Sequence, residues 1–374
     1  MNDRQRIVKH TRRLVIKIGG SVLTNDKGVR IALIQGIARQ VASVRKGGIE
    51  VVIVSSGAIA CGMGVLKLKK RPHEIPQKQA VAAIGQPVLV RHYSNAFQKA
   101  GLHVAQILLT RDDLKDRHRF LTAKHAFAEL FRSKAVPVVN ENDSVAVEEI
   151  QVGDNDQLSA LVSHLVDADL LLILTDIDGF YDKDPRKFKE ARRIGLVENV
   201  DEETFKFADD TRSEKSTGGM TTKLKAAYQA AFYGVPTWVV GGEDPKIISK
   251  VMVGDDVGTL FLPRAETLSS RKYWIGYTLK AVGKIVIDEG AAAALTQKKK
   301  SLLPSGILEV EGDFDVGDAV EILNQAGKPL ARGLAGYHSR DIEKIRGQKS
   351  TAIEKILGYK YYDEVVNRDD LVIL

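Results

Sequence analysis

The sequence has very little cysteine and no long apolar segment. Its single cysteine, Cys61, excludes an internal disulfide and a metal site built from several cysteines. The densest apolar run, Leu170–Leu174, is far too short to cross a bilayer, and residues 1–13 are polar and basic without the apolar core of a signal peptide. We therefore expect a cytoplasmic protein without a membrane-spanning segment.

Aromatic residues are also few, at 6% of the chain. Tyr181, Trp238 and Trp274 could stack on a nucleotide base, but large aromatic side chains usually fill space, and we favour packing for all three. The eight histidines show no paired spacing typical of metal ligands. Neither residue class therefore predicts a cofactor site.

The charge is unevenly distributed along the chain. Its 374 residues suit two domains, and the formal net charge is +7. Residues 281–374 contain 13 Lys and Arg against 15 Asp and Glu, a net charge of −2, so residues 1–280 carry +9. A positive excess in the first part is adequately explained by phosphate-rich small ligands, and the negative last part argues against nucleic-acid binding there.

An apolar strand, Leu14–Ile18, contains one lysine and runs into a glycine turn. Because a strand buried on both faces is almost continuously apolar, Lys17 is expected only near the strand's carboxyl end, where it can reach an anion. Gly19 and Gly20 allow a tight turn and close approach of a ligand. The order of residues fits neither a Walker loop nor a dinucleotide fingerprint. The alternative is a lysine that snorkels at the sheet edge.

Helical and apolar segments alternate through the first 268 residues. Apolar residues at helical spacing between Ile31 and Val44 end at Gly47, and the strand Val51–Val54 follows. Further strands are predicted at 104–109, 136–139, 170–174, 237–240 and 258–261, with helices between most of them. This alternation predicts an α/β domain, a mostly parallel sheet covered by helices on both faces.

Polar clusters follow several of these strands. They are Ser56-Gly57-Ala58, Asn140-Glu141-Asn142-Asp143, the group Asp154-Asn155-Asp156 at a helix start, Thr175-Asp176, and the turn Thr217-Gly218-Gly219-Met220-Thr221-Thr222-Lys223. Helix capping explains Asp154 but hardly its two neighbours as well. The turn at 217–223 suits a phosphate at a helix N-terminus with Lys223 as a point charge, although a capped helix with an exposed lysine is an equal alternative.

The composition changes after residue 268. We take residues 1–268 as the first domain, 269–280 as a linker, and 281–374 as a second domain. The second domain has short apolar segments separated by glycine- and aspartate-bearing turns, at Lys284–Ile287, Ile307–Glu311, Ala319–Leu323 and Leu330–Leu334. Such segments predict a small, mainly β barrel.

Taken in order, these motifs resemble the bacterial glutamate 5-kinases of the amino acid kinase superfamily. The resemblance is carried by Lys17-Ile-Gly-Gly-Ser21, Ser56-Gly-Ala-Ile, Asn140-Glu-Asn-Asp143, Val152-Gly-Asp-Asn-Asp156, Thr175-Asp176 and the turn at 217–223. The second domain resembles a PUA domain. One departure is Gly20, where relatives often have a hydroxyl residue. The resemblance implies a three-layer α/β/α sandwich that uses ATP and Mg²⁺ to phosphorylate the γ-carboxylate of L-glutamate, the first step of proline biosynthesis.

The resemblance also assigns roles to residues. It implies that Lys17, Lys223 and Asp156 are catalytic, with Asp156 orienting the two ammonium groups. Glutamate would contact Ser56, Asn140, Asp143 and Asn155, with Asp143 accepting from the α-amino group and the others donating to carboxylates. The nucleotide would lie on Lys17, Gly19, Gly20, Thr175, Asp176, Thr217, Gly218, Gly219, Met220, Thr221, Thr222 and Lys223. Mg²⁺ would bridge the phosphates of the nucleotide, and no protein ligand for the metal is identified.

Two other functions remain possible at this point. A different kinase of the superfamily would share the phosphate-binding residues but not need a carboxylate at Asp143, and an RNA-binding protein would use the second domain. The resemblance further implies feedback inhibition by L-proline, self-association into dimers or tetramers, and functional coupling to glutamyl phosphate reductase.

Overall fold

The computed structural model describes residues 1–25, 28–145, 155–201, 204–205, 219–263, 279 and 281–374, with only the backbone at positions 115, 117, 118 and 121. The chain divides into two compact units, Met1–Thr267 and Leu268–Leu374. Apart from residue 279, the predicted linker lies outside the described residues, so its bounds stay a prediction.

An eight-stranded sheet forms the centre of the first unit. Its strands are β1 (Arg13–Ile18), β4 (Glu50–Ser55), β5 (Val104–Leu109), β6 (Val136–Glu141), β7 (Leu170–Thr175), β10 (Leu196–Val197), β11 (Thr237–Gly241) and β12 (Thr259–Phe261). Two short hairpins lie outside it, β2 (Thr24–Asn25) with β3 (Gly28–Val29) and β8 (Phe180–Tyr181) with β9 (Arg193–Ile194). The strand order is β10-β12-β11-β7-β1-β4-β6-β5, and only β11 and β12 pair antiparallel. The predicted mostly parallel sheet is therefore confirmed.

Helices cover both faces of this sheet. They are α1 (Asp3–His10), α2 (Gly20–Leu23), α3 (Ile31–Lys46), α4 (Ala58–Val65), α5 (Ile75–Lys99), α6 (Arg111–Lys115), α7 (Arg117–Arg132), α8 (Asn155–Leu165), α9 (Met220–Phe232) and α10 (Ile247–Val253). Leu14, Ile16 and Ile18 pack into one core with α3 and α5. Because side chains alternate along a strand, Lys17 projects to the opposite face, toward α8 and α9.

Two glycines hold α4 close to α5. A Cβ at Gly62 would lie 1.9 Å from the carbonyl oxygen of Val81, and one at Gly85 would lie 1.9 Å from that of Ala58. Real side chains cannot approach so closely, so the backbones of the two helices are in direct contact. This contact positions Ala58, the first residue of α4, which borders a cavity at the end of the sheet.

The second unit has its own core around a five-stranded sheet. Its strands are β13 (Gly283–Ile287), β14 (Ile307–Glu311), β15 (Ala319–Leu323), β16 (Pro329–Leu334) and β17 (Leu371–Ile373), in the order β14-β13-β15-β16-β17. Three helices accompany them, α11 (Glu289–Thr296), α12 (Ser339–Ile345) and α13 (Ile353–Leu357). The four predicted strands are present, and the sequence reasoning missed β17 and the helices. No helix in the described parts of either unit is long and apolar enough to cross a membrane.

Two of the three aromatic candidates for base stacking, Tyr181 and Trp238, lie in the described part of the chain. Trp238 is fully buried in the core of the first unit. The hydroxyl of Tyr181 donates to Asp178 Oδ1 at 2.7 Å. Trp274 and the proposed helix cap Asp154 lie outside the described residues.

Candidate active site

A cavity of about 330 Å³ lies where the carboxyl ends of four central strands meet. The strands are β1, β4, β6 and β7, which are neighbours in the parallel sheet. Open parallel sheets bind ligands at this edge. The lining residues are Lys17, Gly19, Gly20, Ser21, Thr24, Ser56, Gly57, Ala58, Ile59, Ala60, Met63, Arg71, Asn140, Glu141, Asp143, Asn155, Asp156, Thr175 and Lys223.

A buried carboxylate joins two lysines in this cavity. Asp156, near the start of α8, accepts a hydrogen bond from Lys17 Nζ through Oδ1, and from Lys223 Nζ through Oδ2 at 3.3 Å. The hydroxyl of Thr222 also donates to Oδ2, at 2.7 Å. The side chains of Lys17 and Lys223 are each 7% exposed, and that of Asp156 is 2% exposed. Two ammonium groups are thus held side by side, although their charges repel.

The electrostatics of this cluster keep Asp156 ionised. Burial by itself would raise the pKa of Asp156, but the charges of Lys17 and Lys223, with the hydrogen bonds from Lys17 and Thr222, hold it well below its usual value. The cluster contains two positive charges and one negative charge, a surplus of one positive charge in a site that excludes most water. Such a site favours an anionic ligand.

Next to the cluster, the side-chain amide of Asn155 is held by three acceptors. Its Nδ2 donates to the carbonyl oxygen of Ser55 at 3.1 Å, to Ser56 Oγ at 3.0 Å and to Asn140 Oδ1 at 3.0 Å. Asn140 in turn donates to Gln86 Oε1 at 2.9 Å. The Oδ1 atom of Asn155 is buried and has no hydrogen-bond partner in the described part of the chain. A ligand that donates a hydrogen bond would satisfy it.

Asp143 and Arg71 form a second ionic group in the cavity. Burial raises the pKa of Asp143 to about 6, and the positive charge of Arg71 lowers it in part. A carboxylate that is poorly solvated, and whose negative charge is only partly balanced by a nearby positive charge, favours a cationic ligand group. The cavity therefore offers sites for both signs of charge.

Backbone turns border the side of the cavity that holds the two lysines. The N–H of Gly19 donates to the carbonyl oxygen of Leu174 at 3.0 Å, which ties the turn after β1 to β7. Gly57 has a φ of 115°, a left-handed conformation that favours glycine at the start of α4. A Cβ at Gly20 would meet only the Ser56 Cβ at 3.8 Å, so the space for a larger residue exists at this departure from the family pattern.

Most of the residues that the sequence predicted to act together line this one cavity. They are Lys17, Gly19, Gly20, Ser56, Asn140, Asp143, Asn155, Asp156, Thr175 and Lys223. Five others that the structure describes do not line it. Asp176 is exposed and accepts from the Thr175 hydroxyl at 3.0 Å, Thr222 reaches Asp156, and Gly219 and Met220 start α9. Thr221 follows them in α9 and also lies outside the lining, while Thr217 and Gly218 are outside the described residues.

The sequence reasoning gave no role to three charged or bulky residues of the lining. Glu141 belongs to the Asn140–Asp143 cluster that was recognised, so its position offered a signal. Arg71 and Met63 offered none, because Arg71 lies at the end of a basic run between two helices and Met63 belongs to an apolar helix. Among the described residues there is no cluster of three or more His, Cys, Asp or Glu that could hold a metal ion.

Asn155 differs in one respect from its predicted role. The sequence predicts a donor to a substrate carboxylate, but in the structure its amide nitrogen is directed to three protein acceptors. The atom left for a ligand is the acceptor Oδ1.

Comparison with known proteins identifies a family and close relatives for this chain. The amino acid kinase family matches residues 12–241, and the PUA domain matches residues 283–357. The glutamate 5-kinase of Thermoanaerobacter sp. (strain X514) is 48% identical over 363 residues, which cover 97% of this chain and 98% of that protein. The glutamate 5-kinases of Geobacter sulfurreducens and Geobacter metallireducens are 50% and 51% identical over 372 residues, 99% of this chain and 100% of each relative. The chain therefore belongs to the amino acid kinase family, within its glutamate 5-kinase group, and carries a C-terminal PUA domain.

Proposed function

We propose that this chain transfers the γ-phosphoryl group of ATP to the γ-carboxylate of L-glutamate. The product would be L-glutamyl 5-phosphate, the first intermediate of proline biosynthesis. The observation that carries the proposal is the buried Lys17–Asp156–Lys223 cluster, in the same cavity as a separate carboxylate, Asp143. The names of the relatives support glutamate as the acceptor.

The reaction brings anions together. A γ-carboxylate oxygen of glutamate forms a bond to the γ-phosphorus of ATP, and the bond from that phosphorus to the β–γ bridging oxygen breaks, so ADP leaves. Because the carboxylate needs no deprotonation, catalysis consists of alignment and charge neutralisation. Lys17 and Lys223 would supply positive charge on either side of the transferring group, and Asp156 would keep both ammonium groups in place.

The amino-acid end of glutamate would lie at the Asp143 side of the cavity. Asp143 and the unpartnered Oδ1 of Asn155 are both acceptors for an α-ammonium group. Ser56 accepts from Asn155, which leaves its own hydroxyl proton for a substrate carboxylate, and Asn140 has amide hydrogens beyond the one given to Gln86. This assignment gives Asn155 the role of acceptor rather than donor.

The nucleotide would lie on the glycine turn after β1 and on the start of α9. Gly19 and Gly20 would admit the phosphates, and Thr175, Asp176 and the turn at 217–223 would hold the rest of the nucleotide. Mg²⁺ would enter as the ATP complex and neutralise the β- and γ-phosphate oxygens. Asp156 is already engaged by two lysines, so we do not assign it to the metal.

Regulation and partners extend the proposal. L-proline would inhibit at or over the glutamate site, because its ammonium and carboxylate groups match those of the substrate. The chain would self-associate into dimers or tetramers and would pass its unstable acyl phosphate to glutamyl phosphate reductase. A cytoplasmic location stays a prediction from the sequence.

An acceptor panel tests the proposal directly. The purified full chain is incubated with ATP, Mg²⁺ and hydroxylamine, and acyl hydroxamate is measured with L-glutamate, L-aspartate or N-acetylglutamate, with ADP release measured for UMP. We expect activity with L-glutamate that needs both ATP and Mg²⁺ and that falls when L-proline is added. A preference for any other acceptor would refute the proposed substrate, and activity unchanged by L-proline would refute only the regulatory part.

A further inference from the structure

Among the described residues of the cavity lining, Arg71 is the one arginine, and the proposed reaction leaves it without a role. It lies in the segment between α4 and α5 and lines the cavity together with Asp143. Within the described part of the chain its guanidinium takes part in no hydrogen bond and no ion pair, and the residue is exposed to solvent. A positively charged fork with five N–H donors therefore stands at the border of the cavity with its donors available to a ligand.

Five of the six charged residues in the described cavity lining fall into two separate groups, and Glu141 is the sixth. Lys17 and Lys223 surround Asp156, and Arg71 accompanies Asp143. The charges that influence the pKa of Asp156 are those of the two lysines, and the charge that influences Asp143 is that of Arg71. The first group matches the phosphoryl-transfer end of the reaction. The second group has one negative and one positive member.

A free α-amino acid presents the complementary pair of charges. Its α-carbon carries an ammonium group and a carboxylate group next to each other, so a protein carboxylate and a guanidinium side by side match it in sign. Arginine binds a carboxylate through two parallel N–H donors, which fixes orientation as well as position. A lysine at the same place would supply the charge without this geometry.

We propose that Arg71 binds the α-carboxylate of the amino-acid substrate and, with Asp143, selects for a free α-amino acid. This inference rests on the proposed function, because it assigns one end of the proposed substrate. It also fixes the orientation of that substrate: with its α-carboxylate at the exposed Arg71, the γ-carboxylate extends inward to the buried lysines. Arg71 is thus a specificity-determining residue at the entrance of the cavity.

Three ligands that differ by one group separate Arg71 from Asp143. L-Glutamate has both α-substituents, glutarate lacks the α-amino group, and 4-aminobutyrate lacks the α-carboxylate, while all three keep the carboxylate that accepts phosphate. KM is measured for L-glutamate, and inhibition constants against it are measured for the other two. The variants are Arg71→Ala, Arg71→Lys and Asp143→Asn, and Lys70→Ala serves as the matched control because Lys70 is the adjacent, exposed cation outside the cavity lining.

The expected pattern is specific to each residue. Arg71→Ala should weaken the binding of L-glutamate and glutarate about 10-fold and leave that of 4-aminobutyrate unchanged. This factor is the low end for a charged hydrogen bond, because Arg71 is exposed. Its kcat should change much less than its KM. Asp143→Asn should instead weaken the binding of L-glutamate and 4-aminobutyrate and leave the binding of glutarate unchanged. Arg71→Lys should recover part of the loss, and Lys70→Ala should match the wild type.

Several results would overturn the inference. Equal weakening of all three ligands by Arg71→Ala would mean that Arg71 shapes the cavity without contacting the α-carboxylate. Wild-type constants in Arg71→Ala, with L-glutamate still phosphorylated, would refute the role of Arg71 while the proposed function stands. Failure of the wild-type chain to phosphorylate L-glutamate at all would refute the proposed function itself, and this inference with it.

Discussion

Replacing Asp156 by asparagine would remove the negative charge that holds two buried lysines together. Asparagine has nearly the same shape, and its side-chain oxygen can still accept from Thr222. The Asp156→Asn variant therefore changes the charge of the cluster and little else. It leaves the ammonium groups of Lys17 and Lys223 buried beside each other without the carboxylate that bridges them.

The expected loss of stability follows from the geometry. At 3.3 Å, the Lys223–Asp156 pair alone has an attraction of about 5 kcal/mol at an effective dielectric constant of about 20. Removing one partner of a buried ion pair typically costs about 3–5 kcal/mol of unfolding free energy, since the other charge stays desolvated. For a unit of this size, roughly 2 °C per kcal/mol predicts a fall in Tm of about 6–10 °C. Misplaced ammonium groups should also lower kcat about 100-fold.

Differential scanning calorimetry measures the Tm of the first unit, and the hydroxamate assay measures kcat. The control is Glu129→Gln, which removes one charge from an exposed ion pair with Arg132 and should change Tm by about 1 °C or less. Added pyrophosphate should raise the Tm of Asp156→Asn more than that of the wild type, because an anion would replace the missing charge.

The pH dependence provides a second check on the same variant. The folded-state pKa of Asp156 is depressed, so its contribution to stability is present above the unfolded pKa of about 4 and is lost as the pH falls below that value. The difference in stability between wild type and variant should therefore be constant above about pH 5. A variant with wild-type Tm and kcat, or one whose Tm does not respond to pyrophosphate, would refute the idea that Asp156 neutralises and orients the two lysines.

Three further predictions concern other parts of the site. Because the pKa of Asp143 is about 6, kcat/KM for L-glutamate should fall as the pH drops below 6, and a pH profile of Asp143→Asn that keeps the same inflection would contradict this origin. Lys223→Met should lower kcat about 100-fold or more. Lys225→Met should leave kcat unchanged, because Lys225 is an exposed lysine on the same helix. Equal activities of the two variants would mean that Lys223 takes no part in phosphoryl transfer. Gly85→Ala should lower the free energy of unfolding by about 1–3 kcal/mol in denaturant and weaken glutamate binding, because its Cβ would meet the Ala58 carbonyl. Gly64→Ala, where a Cβ would meet open space, should be neutral or slightly stabilising. Equal stability of the two variants would contradict the direct backbone contact of α4 and α5.

Local patterns predicted much of the architecture. Helix and strand periodicity located α3 and the main strands to within a few residues, because burial of one face repeats at fixed spacing along the chain. Lys17 was conspicuous for the same reason, as a charge inside an apolar strand. Ser56, Asn140 and Thr175, which belong to polar clusters recognised at the ends of predicted strands, line one cavity, since parallel strands present their carboxyl ends at one edge.

Contacts between distant segments were beyond local patterns. The resemblance to a family, and not residue spacing, implied that Asp156 orients the lysines, which are 139 and 67 residues away from it. The contact of α4 with α5 depends on two glycines that local spacing does not relate. The orientation of the Asn155 amide depends on three acceptors from two other strand ends.

The sequence by itself thus determined the class of fold, the strand that carries Lys17 and the chemical character of the site. These follow from interactions between residues that are near each other in the chain. Only the tertiary structure decided that Arg71 joins Asp143 at the cavity, that Asn155 presents an acceptor and that the backbones of α4 and α5 are in direct contact. The physical reason is that burial and charge partners at a site depend on how separate helices and strands pack, and residues far apart in the chain become neighbours only in the folded state.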